Sequence, residues 1–183
     1  VDWSNLQRQI VHDESRIGMN KAESARQTLR ALNSDIQISV YDEKLDKQGL
    51  LELAKNCDVI VDGTDNFRSR HLVNEVSLLT ATPLVSGAAI RMEGQLSVFN
   101  AGNGSPCYEC LYGDSPEEED MSCSNNGVLA PLVGIIGAMQ AAETLKLLAG
   151  FGETLDGRLL ILDAKTMEIK ILCLSPDPHC SCH

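Results

Sequence analysis

The feature that most limits how this chain can fold is a short unbroken apolar run, DVIVD at residues 58–62, set between two helical stretches. A half-exposed strand alternates apolar and polar residues, whereas a strand covered on both faces is apolar at every position, the signature of a parallel strand in an α/β layer. Its surroundings agree. LLELAKN at 50–56 has the spacing of a short helix and residues 66–79 that of a longer one. PLVSGAAI at 83–90 and GQLSVFN at 94–100 read as further strands. Upstream, Ala22, Ala25, Leu29 and Leu32 recur at helical spacing from Asn20 and stop at Asn33, and IQISVY at 36–41 alternates like a strand. Strands that take turns with helices imply βαβ units and a mostly parallel sheet with helices against it. RLLILD at 158–163 and EIKILCL at 168–174 add a terminal antiparallel hairpin. A length of 183 residues without an internal repeat predicts a single domain over 1–183.

Charge and composition exclude some functions. A net charge of −11 argues against binding nucleic acid, which needs a basic face, and 4% aromatic residues leave little for base stacking. The longest apolar stretch, residues 128–142, is too short to span a bilayer and runs into Glu143 and Lys146. It is expected to lie in a buried helix over 127–150, apolar nearly all round, with Gly134 and Gly137 admitting a close neighbour. No signal-like segment opens the chain, so a cytoplasmic protein without a membrane partner is expected. The acidic run Glu117, Glu118, Glu119 and Asp120 reads as a solvated loop.

Several residues are candidates for chemistry. Asp65, in GTDN at 63–66, follows a parallel strand, and ligands of open α/β sheets sit beyond the carboxyl ends of such strands. Its carboxylate suits Mg²⁺, yet Thr64 and Asp65 are equally good N-caps for the following helix. Lys21 falls at a helix start, where a cation opposes the helix dipole by about 0.3–1 kcal/mol unless a phosphate is bound; the alternative is a solvated surface lysine. Arg8 has the planar fork that grips phosphate, or simply makes a surface ion pair. Seven cysteines include Cys107 and Cys110, spaced C-x-x-C, and the tail HCSCH with Cys180, Cys182 and His183. Two such pairs complete a tetrahedral Zn²⁺ site that staples the tail to the 101–126 loop; a redox pair or incidental thiols are the alternative. Cys123 stands apart, as nucleophile, sulfur acceptor or bystander, while Cys57 and Cys173 are expected in the core.

Taken together, SNLQRQ, the lysine of IGMNK, VIVDGTDNFRSR, PLVSGAAIRMEGQLSVF, PCYEC and GVLAPLVGIIGAMQAAETLKLLAG resemble one family along the whole chain. It is the ThiF/MoeB/HesA adenylyltransferases, bacterial relatives of ubiquitin-activating enzymes, and PLVSGAAIRMEGQ is most similar to the branch that serves molybdopterin synthase. The resemblance implies a Rossmann-like fold, a homodimer, and use of ATP and Mg²⁺ to adenylate the C-terminal glycine of a ubiquitin-like sulfur carrier. It implies Asn5, Arg8 and Gln9 around the phosphates, Lys21 on phosphate, and Asp65 and Asn66 at the nucleotide, Asp65 through Mg²⁺. It also aligns Cys123 with a loop cysteine that carries thioester or persulfide chemistry in relatives. Two departures stand out. The family's Gly-rich G-x-G-x-x-G turn and the arginine donated by a partner subunit would precede Val1, so a fragment with poor ATP affinity of its own is expected. HCSCH also leaves Cys182 and His183 as rival zinc ligands. Alternatives are a carrier of the thiamine-thiazole route, a non-catalytic binding or dimerisation module of the same fold, and a nicotinamide-dependent dehydrogenase, which lacks its fingerprint here.

Overall fold

The computed structural model describes residues 1–113 and 127–182, which fall into two compact units, Val1–Leu45 and Asp46–His183. Cys123, the acidic run at 117–120 and His183 lie outside the described residues.

The first unit is built from capped turns. Asp2 and Asp13 accept the N–H groups of Ser4 and Ser15 and open the 3₁₀ turns Trp3–Asn5 and Glu14–Arg16. Helix α1, Lys21–Leu32, starts where Asn20 accepts the N–H groups of Ala22 (2.8 Å) and Glu23 (3.3 Å). The expected helix is therefore present, but its anchoring face is polar. Ser24 is fully buried, Arg16 donates to its carbonyl (2.7 Å), and Thr28 donates to Val11 (2.7 Å), while Leu29 and Leu32 are exposed. The strand expected at 36–41 is not formed: these residues take no ladder partner among the described residues, and Ile36 and Tyr41 are exposed. Alternation records which side chains could share a face; a strand also needs a neighbour for its backbone groups.

The second unit opens with α2, Lys47–Ala54, capped by Asp46. Five strands follow in the order β1-β2-β3-β4-β5: Ile60–Asp62, Leu84–Ile90, Glu93–Phe99, Arg158–Asp163 and Glu168–Cys173. Helix α3, Phe67–Thr80, carries the chain from β1 to β2, and the two strands pair in parallel with Asp62 opposite Ser86. The remaining pairings, β2–β3, β3–β4 and β4–β5, are antiparallel. The α/β class and the antiparallel end are as expected, whereas parallel pairing is confined to one pair of strands. The reason is local. Residues 83–100 contain two strands joined only by Arg91 and Met92, and a connection that short can make only a hairpin.

Between β3 and β4 lie α4, Tyr108–Tyr112, and α5, Ala130–Ala149. Helix α5 crosses one face of the sheet, packing Leu132 and Ile136 with Val85, Leu96, Val98, Leu160 and Leu162. Leu84, Phe99 and Tyr108 form the core of the other face beside Phe67 and Val73 of α3. At 20 residues α5 is also long and apolar enough to cross a membrane, contrary to the length read from its apolar run. Nor is it buried all round: Leu132, Ile136, Gln140 and Glu143 are buried in one stripe, whereas Leu145 and Leu148 are exposed and nothing described approaches Gly134 or Gly137. Apolar composition on every side does not say which sides are covered. Cys57 and Cys173 are likewise exposed, not in the core. Cys57 follows the end of α2, and Cys173 closes the edge strand β5, which is exposed along its whole length.

Candidate functional site

Asp65 lies three residues beyond the end of β1, in the loop that leads into α3. The sequence left open whether it merely caps that helix. Asn66 is the cap: its Oδ1 accepts the Ser69 N–H at 2.8 Å. The Asp65 carboxylate stays exposed, touched by Asn66 Nδ2 at 3.5 Å, and it lines a hollow of about 110 Å³ with Phe67, Arg70, Ala89, Gln95 and Tyr112. The loop itself is tied down through its backbone. Asp62 Oδ1 accepts the Thr64 N–H at 2.9 Å, and Arg70 donates to the Thr64 carbonyl from Nε (3.1 Å) and Nη2 (2.7 Å). The Arg70 guanidinium also lies 5.9 Å from the Phe67 ring centre. An exposed acid beside a held cation, at the carboxyl end of a parallel strand, can receive a metal–phosphate group.

Reading the sequence missed Arg70 and Tyr112. Arg70 stands one helical turn after the Asn66 cap, a spacing that returns a side chain to the loop before its helix, and this was the available signal. Tyr112 of α4 reaches Gln95 of β3 through its hydroxyl, 17 residues away in sequence, for which no local signal exists.

The phosphate candidates occupy the first unit. Asn5 is buried and its carbonyl accepts the N–H groups of Arg8 (3.1 Å) and Gln9 (2.9 Å), so one turn brings all three residues together. Arg8 Nη1 donates to the Ser4 carbonyl at 2.8 Å, and Gln9 Oε1 is buried with no hydrogen-bond partner among the described residues. Lys21 is exposed as the first residue of α1. Nearby, His12 Nδ1 meets Ser24 Oγ at 2.8 Å; burial holds this imidazole below its usual range, and the charges of Lys21 and Arg16 add to the effect.

The sulfur cluster sits at the start of α4. Cys107 Sγ lies 3.7 Å from Cys110 Sγ and 3.6 Å from Cys180 Sγ. Four thiolates on a tetrahedral Zn²⁺ at about 2.3 Å stand about 3.8 Å apart, so the three sulfurs already have the spacing of a zinc site. Their donor atoms all fall within 4.8 Å of one another, and Glu109, Cys180 and Cys182 form an overlapping group of the same size. Cys107 is fully buried, and desolvation pushes its thiol up to about 12, so without a metal it is protonated. Cys182 donates to Glu109 at 2.9 Å, as does Ser181 at 3.0 Å, and His71 faces the same carboxylate at 3.5 Å. Burial raises Glu109, but these donors outweigh it and hold the carboxyl below the usual range. Fully buried Asn74 of α3 joins the parts: Oδ1 accepts the Tyr108 N–H (2.9 Å) and Nδ2 donates to Cys182 (3.9 Å).

Fold and site define an α/β domain with an acidic loop at a strand end and a cysteine cluster fastening its tail. The chain belongs to the ThiF family, which it matches along residues 1–183. It is 44% identical over 183 residues to "Adenylyltransferase and sulfurtransferase MOCS3-1" of Drosophila pseudoobscura pseudoobscura, covering 98% of this chain and 40% of that protein. A Dictyostelium discoideum protein named adenylyltransferase and sulfurtransferase MOCS3 is 46% identical over 165 residues, covering 89% of this chain and 39% of its own length. The chain thus spans about 40% of the curated relatives it matches. Among solved structures, E. coli MccB with MccA-N7isoASN superposes with a TM-score of 0.83 at 22% identity, over 99% of this chain and 56% of that one. E. coli MccB with ATP gives 0.81 at 20% identity, over 99% and 55%. At these identities the likeness establishes the fold.

Proposed function

We propose that the chain is the catalytic part of an ATP-dependent adenylyltransferase that activates the C-terminal glycine of a ubiquitin-like sulfur carrier, in molybdenum-cofactor synthesis, as a cytoplasmic homodimer. The observation that carries this reading is the Asp65 carboxylate, left free by the Asn66 cap at the carboxyl end of β1 and facing a hollow it shares with Arg70. Membership of the ThiF family and the adenylyltransferase names of relatives at 44% and 46% identity support the reaction class.

The chemistry needs no side-chain nucleophile. A carboxylate oxygen of the carrier attacks the α-phosphorus of ATP, the bond to the bridging oxygen breaks, and pyrophosphate leaves with the electron pair. Arg8 and Lys21 are assigned to the charge that grows on the phosphates, and Asn5 and Gln9, whose side-chain amides carry N–H donors, to their orientation. Mg²⁺, when bound, neutralises phosphate charge, and Asp65 is the residue suited to hold it. Zn²⁺ would be held by Cys107, Cys110 and Cys180 with one tail ligand, Cys182 or His183; a closed site of this kind fixes structure and leaves no position for substrate.

ATP–pyrophosphate exchange at the gene-encoded length, with a molybdopterin-type and a thiazole-type carrier in separate arms, tests the proposal. Exchange is expected with the first carrier, reduced by orders of magnitude in Arg8→Ala, Lys21→Ala and Asp65→Ala. Near-normal exchange in all three variants would remove the catalytic assignment, and preference for the second carrier would reassign the pathway.

A further inference from the structure

We propose that Gln140, seated in the space left by Gly87, is a positioning residue that fixes the loop bearing Asp65. The inference rests on the reading above for what Asp65 does, but the placement itself is read from this structure.

Gln140 is a polar residue in the buried stripe of α5, 78 residues from the backbone group it grips. Its Nε2 donates to the Asp62 carbonyl at 2.7 Å and reaches the Val85 carbonyl at 3.3 Å, so one amide bridges β1 and β2 where their parallel pairing ends. A buried amide earns its place only if its hydrogen bonds are made. It can make these because position 87 is glycine: a Cβ there would stand 2.4 Å from Gln140 Cδ and 2.8 Å from Nε2. Gln140 and Gly87 are therefore one device in two pieces.

The group it holds lies at the end of β1, at the foot of the loop that carries the acid. Asp62 ends β1, and its own side chain accepts the Thr64 N–H at 2.9 Å. Gln140 fixes Asp62, Asp62 fixes Thr64, and Asp65 is the next residue. Arg70 holds the opposite side of the same peptide run through the Thr64 carbonyl. Helix α5, which supplies Gln140, is itself seated on the sheet by Leu132 and Ile136 and tied at its start to the β2–β3 turn, where Leu129 N–H donates to the Arg91 carbonyl at 2.8 Å. The Asp65 carboxylate is thus referred to the core through the contacts of its loop while it stays exposed at the hollow.

Three variants test the assignment. Gln140→Met keeps an unbranched chain of similar length and removes the donor. Gly87→Ala drives the amide away, and Gly87→Ala/Gln140→Ala gives the new methyl the vacated space. Hydrogen exchange of the Thr64 amide is expected to rise about tenfold or more in the single variants, while Val98 in the core keeps its protection. In pyrophosphate exchange kcat is expected to fall about ten- to hundredfold with the KM for ATP within about twofold, as follows from slight misplacement of a reacting group. The double variant should lose no more than Gly87→Ala by itself. A plug that only stabilises the sheet would lower the thermal midpoint and core protection together, leaving kcat and the relative protection of Thr64 unchanged; that result overturns the proposal. A double variant that loses substantially more than Gly87→Ala by itself overturns it as well. If no carrier supports exchange in the unsubstituted protein, the functional reading fails, and the Thr64 measurement still decides the positioning.

Discussion

At the scale of single residues, environment decides what each ionisable group contributes. His12 is the clearest case, because its imidazole meets Ser24 Oγ inside the first unit and burial, the largest cause, holds its pKa below the ordinary 6.5. A histidine whose folded pKa is depressed is neutral in the fold over a range where the unfolded chain has taken up a proton. Its contribution is fully present above about pH 6.5 and is lost as pH falls through that value toward the folded pKa. The thermal midpoint should therefore decline as pH falls from about 7 through about 6.5, and His12→Gln should flatten that decline. Differential scanning calorimetry across the interval checks it, an equal slope in the variant counting against the assignment. Residue types and spacing brought out Asp65, Lys21, Arg8 and the cysteine pairs, since each has a distinctive local neighbourhood. They did not bring out His12 or Gln140, whose partners lie 12 and 78 residues away and whose roles depend on burial.

At the scale of elements, periodicity was a good guide to what forms and a poor one to what covers it. The runs at 58–62, 83–90 and 94–100 became β1, β2 and β3, and the hairpin at the C-terminal end became β4 and β5. The alternating run at 36–41 remained outside any ladder, and α5 buried one stripe instead of its whole circumference. In each failure the sequence described a side-chain pattern correctly, while the outcome depended on a neighbour located elsewhere in the chain. The seat of α5 on the sheet is itself testable. Gly94 of β3 lies under the helix so closely that a Cβ would stand 2.6 Å from Ile136 Cδ1 and 3.1 Å from Leu132 Cδ1. Both atoms belong to a filled core, so Gly94→Ala should cost about 1–3 kcal/mol in urea unfolding, with an unchanged m-value. Adding Ile136→Val should recover part of that loss by removing a methyl from the crowded spot; no recovery would mean the helix is not seated there.

At the scale of the whole second unit, the tail that leaves the sheet after β5 is brought to the start of α4 at a cluster of sulfurs. Cys107 and Cys180 are 73 residues apart and 3.6 Å apart at Sγ, with Asn74 and Glu109 holding the same junction from α3 and α4. Beyond the sulfurs the tail is exposed at Pro176, Asp177, Pro178 and His179, so hydrophobic burial does not account for its return. Metal binding would supply what burial lacks, because ligands gathered on a cation contribute folding free energy directly. It must also displace protons: burial keeps the Cys107 thiol neutral up to about pH 12, and a thiol binds zinc only as its thiolate. Zinc uptake by the metal-free protein at about pH 7 should release about one proton per thiol engaged, measurable with an indicator dye in weak buffer. Stripping the metal should expose the segment after Leu174 to proteases while the sheet stays resistant. In Cys107→Ser/Cys110→Ser that segment should be cleaved with or without added zinc. Unchanged zinc content in that variant, or a tail equally resistant before and after chelation, would show that something other than the metal holds the tail in place.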